Sequence, residues 1–162
     1  MQDQARLPRP LLGLLRTRFT LEWRGIHGAP HWARVRRNGL VLAERTGASQ
    51  RVVSLFAFLH DSCRWNDHSD AGHGSRAAKR VAALRDGFVS LSDEEAKLLA
   101  FACRHHSEGL CEADVTVQTC WDADRLDLGR VGKHPDPRYL CTPAARDRSL
   151  IEWAYCRSIG RR

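Results

Sequence analysis

The stretch Gln50–Trp65, QRVVSLFAFLHDSCRW, decides the fold class. Val52, Val53, Leu55, Phe56, Phe58 and Leu59 cover most of the circumference of the helix that this stretch predicts. A helix apolar nearly all round must be covered by neighbours on every side, so it belongs in the middle of a bundle. Its stripe Val52, Phe56, Leu59, Cys63 carries an anomaly. His60 lies on it, and Asp61 follows, turned about 100° away.

Outward from there the periodicity stays helical. A first helix is predicted over about 10–22. Pro30 suits the first turn of a second, which runs to about Arg45 and is stopped by Gly47. After the central helix, 66–74 reads as a polar loop containing Asp67, His68, Asp70 and His73. A fourth helix covers about 75–85, and a capping box of Ser92 and Glu95 opens a fifth, to about His106. A sixth is predicted over about 115–131 and a last over about 147–158, with Pro135, Pro137 and Pro143 making 132–145 irregular. No stretch alternates as a strand would. The expectation is an all-α, single-domain helical bundle. Residues 1–24 form an N-terminal helical extension packed on a core at 25–132, and 133–162 add an irregular segment and C-terminal helix to the same domain.

With 162 residues and 43% apolar content, the chain can bury a real core and is no disordered sequence. No run approaches the roughly 18–20 apolar residues that span a bilayer. The first ten residues are polar and basic, and the apolar patch after them is broken by Arg16 and Arg18, which makes a poor signal peptide. A cytoplasmic protein without membrane contact is expected. The six cysteines form no C-x-x-C pair, and several fall in apolar stripes, as reduced core residues do. The net charge is +7, and lysine occurs only at 79, 97 and 133, so the basic residues are mostly arginine. Arginine's planar fork suits a phosphate, although a solvated basic surface accounts for the charge equally well.

In the sixth helix the stripe Val117, Trp121, Leu128, Val131 is interrupted by Asp124, while Asp122 and Asp127 are expected to point elsewhere and be solvated. His31 shares a line with Val35 and Leu42, and His105 and His106 flank the stripe Leu98, Phe101, Ala102. A single inward histidine is ordinarily a hydrogen-bonded core residue, and a single inward aspartate an ion-pair partner. Recurrence on four helices points instead to a metal held between them, as bundles hold metals. Imidazole with carboxylate suits Mn, Fe, Co, Ni or Zn. His27 stands four residues before His31, but Gly28, Ala29 and Pro30 intervene, so it is expected to precede the helix and is set aside as a ligand.

The segments His31-Trp-Ala-Arg34-Val35, His60-Asp61 and Asp122-Ala-Asp124-Arg125-Leu126, in this order and helical placement, resemble the HD-domain superfamily of metal-dependent phosphohydrolases over about residues 25–132. The nearest likeness is to small bacterial single-domain members. The resemblance implies that His31, His60, Asp61 and Asp124 bind a divalent metal (Mn, Fe, Co, Ni, Zn or Mg). It implies hydrolysis of a phosphate ester, usually in a nucleotide, with Asp61 as a catalytic residue; Arg64, close by, is a further catalytic candidate. Arg34, Arg64 and Arg125 lie beside the motifs and are candidates to clamp substrate phosphate. Two departures matter. Some members carry an acid three residues after the His-Asp pair, where this chain has Arg64; a basic residue there is familiar from cyclic-dinucleotide phosphodiesterases. Their extra histidines have candidates in His73, His105 and His106, for a second metal or the substrate, but the spacing to His73 is short and the Gly-Tyr-Pro signature is absent.

Two alternatives stand beside the phosphohydrolase. One is a di-iron oxygenase of the HD type. The other is a non-catalytic module that binds nucleotide or nucleic acid through basic surfaces. Specificity is expected in 66–74, 107–114 and 132–145, and Trp32, Trp65 and Trp121 are candidates to stack on a base, although core positions suit them as well. Both a monomer and a homodimer fit the apolar first and last helices.

Overall fold

The apolar stretch 50–65 is the centre of the molecule, but only its first part is helical. A computed structural model describes residues 8–85 and 87–161; residues 1–7 of the expected N-terminal extension lie outside the described residues. Seven α-helices form among them: α1 (Arg9–Arg18), α2 (Ala29–Thr46), α3 (Gln50–Leu59), α4 (His73–Arg85), α5 (Asp93–His105), α6 (Val115–Arg125) and α7 (Arg148–Ser158). Short 3₁₀ helices follow at Leu128–Val131 and Pro137–Tyr139, and no strand occurs among the described residues. The chain is therefore an all-α bundle. No described helix is long and apolar enough to cross a membrane.

α3 packs against α2, α4, α5 and α6, which is why its residues from Val52 to Leu59 are buried, with Phe58 half-buried. α4 lies along α5, and α7 closes on α2. Leu11 and Leu15 of α1 enter the same core. Full burial of one such side chain contributes about 1.5–3 kcal/mol. Phe19, Trp23 and Trp32 meet edge-on, with centroids 5.0 Å (Phe19–Trp32) and 5.4 Å (Trp23–Trp32) apart, and hold the segment before α2 against that helix. All six cysteines are free thiols, and burial pushes those of Cys103 and Cys120 above the ordinary range.

The helix ends show their causes. Pro30 sits in the first turn of α2, and Gly47 ends it in the left-handed region at φ 76°, its N–H reaching the Ala43 carbonyl. Ser49 caps α3, and Ser92 and Glu95 form the capping box of α5. Four expected boundaries need correction. α1 ends at Arg18 rather than near residue 22, because Phe19 turns extended (φ −77°, ψ 123°) and packs its ring on Trp32. α3 stops at Leu59 rather than near Trp65, because Ser62 turns back on the Leu59 carbonyl through both its N–H (3.1 Å) and its hydroxyl (2.8 Å). His73 is the first residue of α4, not a loop residue. α6 ends at Arg125 and continues only as a 3₁₀ turn from Leu128.

Asp122 is also a correction, being fully buried rather than solvated. Its carboxylate accepts from the Cys141 N–H (2.6 Å), the Thr142 N–H (2.8 Å) and the Thr142 hydroxyl (2.8 Å), which ties the proline-rich segment to α6. Burial raises its pKa, and those hydrogen bonds offset part of the rise.

Candidate metal centre

Four buried histidines from four parts of the fold point their Nε2 atoms at one another. Each has its Nδ1 committed elsewhere. His31, in the first turn of α2, donates from Nδ1 to Asp127 Oδ2 at 2.7 Å. His60, at the end of α3, donates to the Phe56 carbonyl at 3.1 Å and lies stacked on the Phe56 ring. His73, opening α4, donates to the Asp70 carbonyl, and His106, capping α5, donates to the Cys103 carbonyl at 2.7 Å. A carbonyl or an ionised carboxylate can only accept, so the hydrogen of each neutral ring is on Nδ1 and Nε2 carries a bare lone pair. Yet His31 Nε2 and His60 Nε2 are 3.1 Å apart, and His73 Nε2 and His106 Nε2 are 2.8 Å apart.

Two carboxylates complete the cluster. Asp61 stands between the pairs: Oδ2 is 3.5 Å from His31 Nε2 and 3.6 Å from His60 Nε2, while Oδ1 is 3.3 Å from His73 Nε2 and 3.5 Å from His106 Nε2. Asp124 Oδ1 is 3.4 Å from His31 Nε2 and 3.7 Å from His60 Nε2. Asp61 Oδ1 and Asp124 Oδ1 are buried and accept no hydrogen bond. Acceptors facing acceptors in a dry interior repel unless a cation or added protons lie among them. Burial alone raises both carboxyl pKa values. The interactions with His60, joined at Asp61 by His106, His27 and His31 and at Asp124 by Arg130 and His31, together outweigh burial and hold both below the ordinary range. Both aspartates are thus ionised at neutral pH and available as ligands.

Three groups have donor atoms within 4.8 Å of one another and so could share a metal ion: His31, His60 and Asp61; His60, His106 and Asp124; Asp61, His73 and His106. The Nδ1 hydrogen bonds supply the outer support that metal-bound imidazoles need. The residues present fit a divalent metal.

The remaining candidates are distributed unevenly. Arg64 is buried at the edge of the cluster, with Nη1 3.2 Å from His73 Nε2 and 3.6 Å from Asp61 Oδ1. Arg34 is spent on Asp127, which it grips at 2.6 and 3.1 Å; Asp127 is wholly buried rather than solvated, because Arg34 and His31 both reach it from α2. Arg125 donates to the carbonyls of Leu110 (2.6 Å) and Tyr139 (2.8 Å) and lies against the sulfurs of Cys111 and Cys141. His105 faces Glu108 at 2.8 Å, away from the cluster. The inward line of α5 is Leu99, Ala102, Cys103, His106, a spacing visible in the sequence one residue away from the stripe first chosen.

Two further residues belong to the site. His27 does precede α2, but its Nδ1 donates to Asp61 Oδ2 at 2.8 Å, which makes it a support of that ligand. Helical periodicity has nothing to say about a residue outside a helix. Arg130 Nη2 lies 3.8 Å from Asp124 Oδ1 while its other nitrogens hold the carbonyls of Ile26 (3.0 Å) and Asp127 (3.1 Å). No family model, curated protein or solved structure matches the chain.

Proposed function

We propose that the protein is a metal-dependent phosphohydrolase that cleaves a phosphate ester, in a nucleotide or a compound of similar chemistry. The observation that carries this is the convergence of four Nε2 lone pairs and two unpartnered carboxylate oxygens in one buried cluster. His31, His60, Asp61 and Asp124 would hold one ion, and Asp61 with His73 and His106 a second. A divalent metal supplies Lewis acidity toward phosphate oxygens and lowers the pKa of water bound to it. The protein's own groups position and neutralise. His27 holds Asp61, Asp127 holds His31, and the guanidinium groups of Arg64 and Arg130 stand at the rim of the cluster, where phosphate oxygens would meet them. Sharing of Asp61 between two histidine pairs also favours a second reading, a di-iron oxygenase of the HD type.

The test is elemental analysis of protein purified without chelator, beside Asp61→Ala and Asp124→Ala, followed by a screen of nucleotides for phosphate release. Wild type should carry a transition metal that both folded variants lose, and should release phosphate with Mn or Mg. Substrate turnover that requires iron and consumes oxygen would select the oxygenase. A folded wild type that cannot be loaded with Mn, Fe, Co or Ni would falsify both.

A further inference from the structure

The turn after Asp61 has a second side, facing away from the imidazoles. Between this turn, the end of α1 and the outer face of α4 lies a cavity of about 190 Å³. Arg18, Arg64, Arg76 and Arg80 line it, and among the described residues no acidic one does. Three of these guanidinium groups are braced by main-chain carbonyls. Arg80 donates to the Ser62 carbonyl at 3.0 Å and to its hydroxyl at 3.2 Å; Arg76 to the Cys63 carbonyl at 3.0 Å; Arg64 to the His68 carbonyl at 2.7 Å. Carbonyls fix a guanidinium without cancelling its charge. Asp70 pairs with Arg76 and Asp61 lies near Arg64, but among the described residues neither Arg18 nor Arg80 forms an ion pair. Four guanidinium groups around one cavity, three of them braced and two without an ion pair, leave an excess of positive charge there that suits a polyanion.

At the rim stands Trp65, 70% exposed, whereas Trp32 and Trp121 are fully buried. The Arg76 guanidinium carbon lies 3.6 Å from the centroid of the indole. Arg76, itself held by Cys63 and Asp70, thus fixes one face of the ring and leaves the other free. A braced aromatic platform next to an arginine-lined cavity matches one small-molecule class, a nucleoside polyphosphate. Single-stranded nucleic acid would need successive platforms along a groove, and among the described residues only this one aromatic ring lines the cavity.

We propose that this pocket binds a nucleotide, with its phosphates among Arg18, Arg76 and Arg80 and its base stacked on the open face of Trp65. The assignment uses none of the metal ligands and stands apart from the phosphohydrolase reading. The test is calorimetric titration of the whole chain with ADP and with inorganic pyrophosphate in the presence of EDTA. Trp65→Ala and Arg18→Glu change exposed side chains and keep the core intact. Trp65→Ala should weaken ADP by about 5- to 100-fold, the range of one base stacked on an aromatic ring, and leave pyrophosphate unchanged. Arg18→Glu should weaken both ligands by at least about tenfold, as reversing a contacting charge does. Asp124→Ala should bind ADP as wild type does. The proposal is overturned if wild type binds no ADP, if neither rim variant weakens it, or if a short single-stranded oligonucleotide binds more tightly with the same dependence on Trp65. Loss of ADP in Asp124→Ala but not in Trp65→Ala would move the nucleotide to the metal centre, which removes this pocket and leaves the phosphohydrolase reading intact.

Discussion

His31 and His73 are both buried imidazoles in the first turn of a helix, each with Nε2 facing a second imidazole, yet what stands around them differs. Behind His31 is a carboxylate, Asp127, fully buried and gripped by Arg34. Behind His73 is only the carbonyl of Asp70, in the polar loop before α4. In front, His31 meets the carboxylates of Asp61 and Asp124, whereas His73 meets Asp61 and has the guanidinium of Arg64 beside its ring, with Nη1 3.2 Å from Nε2 and 3.5 Å from Nδ1. A carboxylate behind an imidazole raises its basicity as a ligand, and a guanidinium beside one repels a second cation brought to it. Under the proposed reading, one cluster of like residues would make two unequal sites, a tighter inner one at His31, His60, Asp61 and Asp124 and a weaker outer one at Asp61, His73 and His106.

The largest effect should separate the two halves outright. His31→Ala is expected to purify without metal, while His73→Ala keeps one tightly held ion, both read as metal per folded chain. The reverse pattern would break the ranking. Next comes the backing. Asp127→Asn still offers an acceptor to His31 but removes the charge, and metal affinity measured against a chromophoric chelator should fall about 10- to 100-fold. The outer half offers no equivalent substitution, since both of its imidazoles are backed by main-chain carbonyls.

How much of this the sequence discloses follows from where each partner comes from. The centre of the bundle is legible because α3 is apolar round its circumference, a property of one helix alone, and the starts of α2 and α5 are legible because Pro30 and the Ser92–Glu95 box act within a single turn. His60 and Asp124 stand out for the same reason, as polar breaks in apolar stripes. Asp122 and Asp127 do not. The groups that make their burial tolerable are the N–H groups at 141 and 142 and the side chains of His31 and Arg34, far away in the chain. Nor is the stop of α3 legible, since neither glycine nor proline marks it and the Ser62 hydroxyl does the work. The asymmetry between the two halves is entirely tertiary.

A steric comparison is finer. A Cβ on Gly74 would stand 2.5 Å from the Arg104 carbonyl oxygen and 2.7 Å from that of Cys103, the acceptor of His106 Nδ1. Main chain cannot yield, so Gly74→Ala must push α4 from α5 and part His73 from His106. A cost of about 1–3 kcal/mol in thermal unfolding is expected, with loss of the outer ion only. Gly39→Ala meets a side chain, Val53 Cγ1 at 2.3 Å, between α2 and α3. It should cost less, because a side chain can shift, and should spare both ions. Equal losses from the two variants would show the outer half to be as firmly built as the inner.

The smallest effect has the opposite sign. The Arg64 guanidinium stands beside His73 and Asp61, so Arg64→Gln, which keeps a donor but not the charge, should bind the second ion more tightly, by up to about tenfold after solvent screening. The inner ion should not respond. The same substitution should slow phosphate release if Arg64 also meets the phosphate, because the amide cannot neutralise it. Tighter metal with slower turnover would separate the two roles of one side chain, since a purely structural arginine would move both in the same direction through loss of fold. Unchanged affinity for the second ion would mean that Arg64 swings away when metal enters, and the inequality between the halves would then rest on Asp127 alone.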